Sequence, residues 1–346
     1  MRTGIFHETY KSEERLWSSS TQRGWIAVLA VAVLALPLYA SDYLLAMACI
    51  VGIHLVATLG LNITTGMAGL ISLSHAAFVG VGCYVASLLS RAGVPFYLVL
   101  PAAGIAAAAI GALVGVPSLR VKGLYLAIAT LAAHFVLTFV FREWIAVTGG
   151  MTGATIVKPS LFGFVLAGDR RIFYLIAACV ALGALGAANL GRTHYGRAFV
   201  AVRDRDISAE IIGVNLLRTK LTAFALGAFY AGVAGALIGY LYGAITPEYF
   251  TLTLAIFYLA AIIVGGLGRV LGSLLGAVFM TFVPEVLRLA AQASSRVLPN
   301  ATELLLPMGQ MVFGLLIVGF LIFEPHGLAE VWSRIRRTFH LWPFRT

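Results

Sequence analysis

The chain has 346 residues, of which 60% are apolar and only 11% are charged, and its mean hydropathy is +0.95. Soluble domains average roughly 45–50% apolar and about 25% charged residues, so this composition excludes an ordinary soluble domain as well as a disordered chain. A net charge of +10 would favour nucleic acid in a soluble protein, but in a membrane protein basic residues first report topology. The composition predicts a polytopic membrane protein.

Ten apolar runs are long enough to cross a bilayer, which takes about 20 residues in a helix. In chain order they lie near residues 25–41, 43–62, 67–90, 95–117, 123–141, 172–190, 221–243, 252–268, 270–290 and 303–323. We therefore predict an all-α fold, an integral membrane bundle of about ten transmembrane helices. Its membrane domain spans residues 25–325, between tails at 1–24 and 326–346. Three cysteines are scattered in the apolar runs, which favours simple packing.

Lysine and arginine predict the orientation of the bundle, because they are retained on the cytoplasmic side. Seventeen of the 24 fall in the N-terminal tail and the segments on its side, and seven fall on the other side. This division predicts that both termini are cytoplasmic, and it explains the basic balance without a nucleic-acid partner. Two loops are long enough to suggest a function: an outer one at 142–171, periplasmic or re-entrant, and a charged inner one at 191–220.

Small residues recur at every fourth position in two of the later spans. One stripe contains Ala231, Gly235, Gly239 and Gly243, and the other contains Gly268, Gly272 and Gly276. Such stripes let helix backbones approach closely where water cannot drive burial. They predict tight helix packing and carry little information about substrate.

The segment from Asn62 to His75 has a different character. It combines hydroxyl and amide side chains with two glycines and a histidine at the entrance of a span. Non-helical backbone at membrane depth is tolerated only where it faces protein or a wet cavity, and transporters use broken helices to hold charged groups of their substrates. We therefore predict that Thr65, Ser72, Ser74 and His75 border a translocation path. A polar contact between helices is the alternative, above all for His75.

The chain lacks the residue patterns of an enzyme. The few acidic residues near the spans lie close to predicted helix ends, whereas a proton relay would place a carboxylate in mid-span. No Gly-Lys dipeptide occurs, so a phosphate-binding loop is missing, and so are common hydrolase motifs. We predict a transport protein without an ATP site of its own.

Several motifs resemble one known family, the LivM-type permease subunits of branched-chain amino acid ABC importers. The matching stretches, in the family's order, are Gly66–Gly82, Gly123–Leu131, Thr148–Gly153, Gly196–Lys220 and Ile262–Gly272. The resemblance implies a permease in the bacterial inner membrane that forms the path for branched-chain or related amino acids. It also adds Thr130, Thr148, Gly149, Gly150 and Thr152 to the candidate path residues.

The same resemblance implies a set of partners. These are a second, LivH-like permease, two cytoplasmic ATPase subunits and a periplasmic substrate-binding protein, besides membrane lipid. ATP would be bound by the ATPase subunits, so no cofactor is expected in this chain. The inner loop resembles the helix that docks onto the ATPase, and the residues assigned to coupling are Arg203, Ala209, Glu210, Gly213 and Lys220.

The residues of this inner loop support docking independently of the resemblance. Ile207, Ile211, Ile212 and Val214 can form one apolar face of a short helix with charged residues around it, and Gly213 can turn the chain out of the helix. An apolar face with a charged rim is typical of a docking element. A solvated charged loop is the alternative.

Two departures from the family pattern leave the substrate open. Leu70 stands where relatives commonly have glutamine, and Ser74 precedes His75 where they have glycine. The same importer family carrying urea, amides or aromatic carboxylates is therefore an alternative. An alternative of another class is an ion-coupled secondary transporter. Its proton version conflicts with the missing mid-span carboxylates, whereas a sodium carrier could rely on backbone carbonyls.

Overall fold

The computed structural model describes residues 20–161, 164–165, 168–294, 311, 314–315, 317–320, 322–324 and 326–341. The tail residues 1–19 and 342–346 and most of the predicted span 303–323 lie outside these residues.

The described residues form a helical bundle. Its helices are α1 (Ser20–Tyr39), α2 (Asp42–Leu61), α3 (His75–Arg91), α4 (Phe96–Gly115), α5 (Leu124–Glu143), α6 (Ile145–Thr148), α7 (Asp169–Leu190), α8 (His194–Ile211), α9 (Leu216–Tyr242), α10 (Leu252–Gly265), α11 (Val270–Ser294) and α12 (Leu328–Leu341). A π-helical turn, Asn62–Met67, extends α2, and short 3-10 turns cover Val116–Leu119, Gly150–Thr152 and Pro247–Tyr249. Side chains at the positions before α2, α8, α9 and α10 accept hydrogen bonds from the first helical turns.

Seven of the described helical segments are long and apolar enough to cross a membrane. They are Asp42–Met67, Phe96–Leu119, Leu124–Glu143, Arg170–Leu190, Leu216–Tyr242, Pro247–Gly265 and Val270–Leu289. Two further predicted spans coincide with α1, whose apolar part is Ala27–Tyr39, and with α3, which has only 17 residues. Large apolar side chains such as Trp25, Ile105 and Phe139 are exposed on the outside of the bundle, as expected for a surface in lipid. A polytopic helical membrane protein is confirmed, whereas the number ten stays a prediction.

Helix α9 lies at the centre of the bundle and packs against α2, α3 and α4, while α10 pairs with α11 and α2 with α7. The glycine stripe of α9 makes these contacts possible. A Cβ atom at Gly235 would overlap the Val79 carbonyl, and one at Gly239 would press on Cys83. Cys49 and Cys83 are buried, in line with a packing role.

The two stripes are shorter than the sequence pattern indicated. Gly243 lies beyond α9 and ends it in a left-handed conformation (φ 73°), and Gly268 has φ 77° in the turn between α10 and α11. Gly272 and Gly276 do pack as predicted, against the backbone of α10 at Gly265 and Ala261. The four-residue periodicity therefore predicted the close helix contacts correctly, but it counted Gly243 and Gly268, which lie in turns, as part of the helix stripes.

The two ends of the bundle differ in structure. At one end, which we call the α8 end, lie α8, the π-helical turn, the turn after α10 and the start of α12. The opposite end carries the loop 142–171. There β1 (Ala154–Thr155) pairs antiparallel with β4 (Ala244–Ile245), and β2 (Ser160–Leu161) pairs with β3 (Phe164–Val165). These two-residue strands are a minor addition to the predicted all-α fold.

Candidate functional site

The predicted break in the helix is present between α2 and α3. After the π-helical turn the chain runs without helical structure from Ala68 to Ser74, and α3 starts only at His75. The span predicted at 67–90 therefore begins eight residues late. Gly69 takes φ 70° inside the break, and a Cβ atom there would lie 2.7 Å from the Arg203 side chain. This glycine is needed for both its conformation and its close approach to α8.

The polar side chains of the break are buried and paired within the chain. Thr65 Oγ1 donates to the Leu70 carbonyl (3.0 Å), and the Ser72 and Ser74 hydroxyls lie 3.1 Å apart. Thr130 Oγ1, from α5, accepts the Leu73 amide at 3.0 Å. His75 Nε2 donates to the Ala57 carbonyl of α2 at 2.8 Å. The structure thus joins Thr65, Ser72, Ser74, His75 and Thr130 around one broken segment, and their role in transport stays a prediction.

The motif Thr148–Gly153 lies elsewhere. Thr148 lies beside the last turns of α5, next to Phe141, which is 11 residues or about 16 Å along that helix from Thr130 at about 1.5 Å per residue. Its hydroxyl donates to the Phe141 and Trp144 carbonyls and accepts the Gly150 amide, which locks a turn. Gly149 and Gly150 have positive φ, and Thr152 is exposed. The predicted path residues therefore form two separate groups.

The α8 end carries an exposed apolar surface. Helix α8 is interrupted at Arg205, which is extended (φ −157°, ψ 101°), so residues 206–211 form a separate short turn of helix. Ile207, Ile211 and Ile212 are 67%, 81% and 75% exposed, and Gly213 turns the chain with φ 91°. We call residues 206–214 the docking turn. Its apolar face and its terminal glycine were both predicted, and Glu210 lies exposed beside them.

Ion pairs hold the docking turn against the bundle. Asp206 pairs with Lys122 Nζ at 2.5 Å and with Lys220 Nζ at 3.8 Å, and Lys220 also donates to the Ser118 carbonyl at 3.1 Å. The hydrogen bond from Lys122 lowers the pKa of Asp206. Ala209 and Lys220 are buried, so in this structure they anchor the turn from within and leave the exposed contacts to its other residues.

Arg203 connects α8 to the broken segment. Its Nη1 atom donates to the Gly66 carbonyl in the π-helical turn at 3.0 Å. The same turn contacts the loop after α10, because Asn62 Oδ1 accepts the Gly268 amide (2.8 Å) and Asn62 Nδ2 donates to the Arg269 carbonyl (3.2 Å). We call Arg203, Gly66, Asn62 and Gly268 the junction. The sequence assigned Arg203 to coupling and placed Asn62 in the polar segment, but no sequence signal predicted the contacts of Asn62 with the loop after α10.

The candidate site contains no metal-binding cluster: among the described residues, no group of three or more histidine, cysteine or acidic side chains could hold a metal ion.

Comparisons with known proteins identify the family of the chain. Residues 43–321 match the family model described as branched-chain amino acid transport system / permease component. The chain is 32% identical over 336 residues to the high-affinity branched-chain amino acid transport system permease protein LivM of Escherichia coli, covering 90% of this chain and 76% of that protein. It is 28% identical over 298 residues to a probable branched-chain amino acid transport permease protein LivH of Methanocaldococcus jannaschii, covering 81% and 89%. No solved structure matches the chain.

Proposed function

Because the chain belongs to the family of branched-chain amino acid transport system permease components, we propose that it is the LivM-like subunit of an ABC importer for these amino acids. It would form the translocation path in the bacterial inner membrane together with a LivH-like permease. Two cytoplasmic ATPase subunits would bind and hydrolyse ATP, and a periplasmic protein would deliver the substrate. We further propose ten spans with both termini in the cytoplasm, as the distribution of basic residues indicates.

The docking turn is the observation that supports this function most strongly. Three isoleucines on a charged cytoplasmic turn would be costly to leave in water, so they favour a partner surface. The turn is also fixed to the bundle by Asp206 and connected to the broken segment by Arg203. A rigid element of this kind can carry a movement of the ATPase to the membrane helices. An ion-coupled carrier would leave both the isoleucines and the junction without a role.

The names of the relatives support branched-chain amino acids as the proposed substrate class. Both are named for branched-chain amino acid transport, and we propose the same substrate class here. Urea, amides and aromatic carboxylates are the alternative substrates, since Leu70 and Ser74 depart from the common pattern of the family.

A double substitution in the docking turn tests the function. Glu210→Arg with Gly213→Val reverses a rim charge and forces a β-branched residue into a conformation (φ 91°) that only glycine adopts without strain. The variant should insert in the membrane, but the ATPase subunits should co-purify poorly, and loaded binding protein should no longer stimulate ATP hydrolysis. Glu210→Arg alone should cost less, because a rim charge contributes mainly to orientation.

Gly314→Val is the control for the valine substitution, because a Cβ atom at Gly314 would meet no atom of the described residues within 4 Å. It should leave hydrolysis and uptake unchanged. Wild-type stimulation of hydrolysis in the double variant would refute the docking assignment and favour the alternative, a solvated loop without a partner.

A further inference from the structure

His54 lies at the middle of a membrane span. It is the thirteenth residue of the 26-residue segment Asp42–Met67, about 18 Å along the helix from Asp42. Ionisable side chains at this depth are costly and usually face a functional cavity or the bundle interior. Its Nδ1 atom lies 3.3 Å from the Tyr258 hydroxyl, in a hydrogen bond whose donor depends on the tautomer. Among the described residues, its Nε2 atom has no hydrogen-bond partner.

His54 lines a cavity of about 160 Å³ between α2, α9 and α10. We call it the midplane cavity. Every other residue of its wall is aliphatic or aromatic: Ile50, Ile53, Ile238, Leu241, Tyr242, Tyr249, Phe250 and Leu254. Apolar walls with one or two polar groups are typical of sites for small ligands. The imidazole is thus the polar group at the deep end of an apolar site.

The cavity extends toward the opposite end from α8, which is periplasmic in the proposed topology. Tyr242 and Tyr249 stand where α9 ends and α10 approaches, their rings stacked at 5.6 Å, and each is about half exposed. Ile50 and Ile53 continue the wall inward to His54. A molecule released on that side would meet the tyrosines first and the imidazole last.

Tyr258 connects the deep end of the cavity with the broken segment. Its buried ring lies 5.5 Å from the His54 ring on one side and 5.7 Å, edge to face, from the His75 ring on the other. His75 is the first residue of α3 after the break. The cavity therefore ends where the predicted path residues begin.

We propose that the midplane cavity binds the aliphatic side chain of the amino acid in transit, with His54 contacting its polar end. The inference rests on the proposed function and adds a site to it. The walls suit a branched aliphatic group, which gains free energy by leaving water. A purely apolar occupant, such as a lipid chain or a partner's leucine, would leave the Nε2 atom of His54 without a hydrogen-bond partner, which is costly. A ligand that is apolar at one end and polar at the other fits both the apolar walls and the His54 side chain.

Uptake of radiolabelled leucine, valine and phenylalanine by the reconstituted complex, with its ATPases and binding protein, tests the site. Ile50→Trp fills the cavity and should lower leucine uptake at least tenfold, whereas Leu44→Trp, on the exposed face of the same helix, should not. His54→Leu should lower uptake to a similar extent, and His54→Gln should restore part of it. Leu254→Ala enlarges the cavity and should raise phenylalanine uptake relative to valine several-fold, a gain that misfolding cannot produce.

The outcomes separate this inference from the function on which it rests. If the wild-type complex imports no amino acid, the proposed function fails. If the wild type imports leucine but Ile50→Trp and His54→Leu do so equally well, the midplane cavity is not on the path. Loss of uptake in Ile50→Trp together with loss of ATPase co-purification would indicate misassembly, and the Leu254→Ala selectivity then decides: an unchanged ratio overturns the inference.

Discussion

Removing the Arg203 guanidinium should uncouple ATP hydrolysis from transport. Arg203→Met keeps the length of the side chain but loses the hydrogen bond to the Gly66 carbonyl. A hydrogen bond from a charged donor contributes about 1.5–3 kcal/mol, and because the Arg203 side chain is 38% exposed, solvent screening favours the lower end of this range, about 1.5 kcal/mol. That free energy corresponds to a factor of about ten in the equilibrium between a connected and a disconnected junction.

The assay is the number of substrate molecules imported per ATP hydrolysed in proteoliposomes that contain the complete complex. We expect this ratio to fall in Arg203→Met, with the tenfold change of the equilibrium as the upper limit of the loss, while the ATPases still co-purify because the docking turn is intact. Arg197→Met is the matched control, since Arg197 donates to the Arg192 carbonyl within the same segment and contacts no other helix through that bond. An unchanged ratio in Arg203→Met would refute the junction as the coupling element.

Three further predictions address topology, packing and charge. Cysteines replacing Arg205 and Lys158 should be labelled from opposite sides of the membrane, and periplasmic labelling of Arg205→Cys in intact cells would overturn the orientation. Gly82→Ala should lower the free energy of unfolding of the detergent-solubilised protein by about 1–3 kcal/mol, because its Cβ atom would overlap the backbone of α9. Gly319→Ala should be neutral, because no atom of the described residues lies within 4 Å of its Cβ position. Asp206→Asn should reduce ATPase co-purification, because it removes the ion pairs that hold the docking turn. Since the folded-state pKa of Asp206 is lowered, the stabilisation from its carboxylate is complete above the unfolded pKa of about 4 and is lost as the pH falls through the lower folded value. Co-purification of the wild type should therefore be constant from about pH 6 to 8.

Local sequence signals predicted those features that depend on local chemistry. The glycines and hydroxyls around Gly66 and Gly69 predicted a broken helix, and the break is present from residue 68 to 74. The isoleucines and Gly213 predicted an apolar turn, and they are exposed at the α8 end. Both are short-range properties, because they depend on backbone freedom and on the periodicity of one helix.

Features that depend on tertiary contacts could not be read in the same way. A lysine in a basic segment looks solvated, yet Lys220 is buried, because its ammonium donates a hydrogen bond to the Ser118 carbonyl and pairs with Asp206. His54 gave no motif, and its significance follows only from the cavity that α9 and α10 form beside it. The Thr148–Gly153 run was grouped with the path residues, although Thr148 lies beside Phe141, 11 residues along α5 from Thr130.

The central claim is that partner ATPases drive amino acid import through this chain. The most direct test is leucine uptake by proteoliposomes containing the complete complex and loaded binding protein, measured with enclosed ATP, without ATP, and without ATP under an imposed proton or sodium gradient. Uptake should require ATP and should be indifferent to either gradient. Gradient-driven uptake in the absence of ATP would contradict the account and identify an ion-coupled carrier.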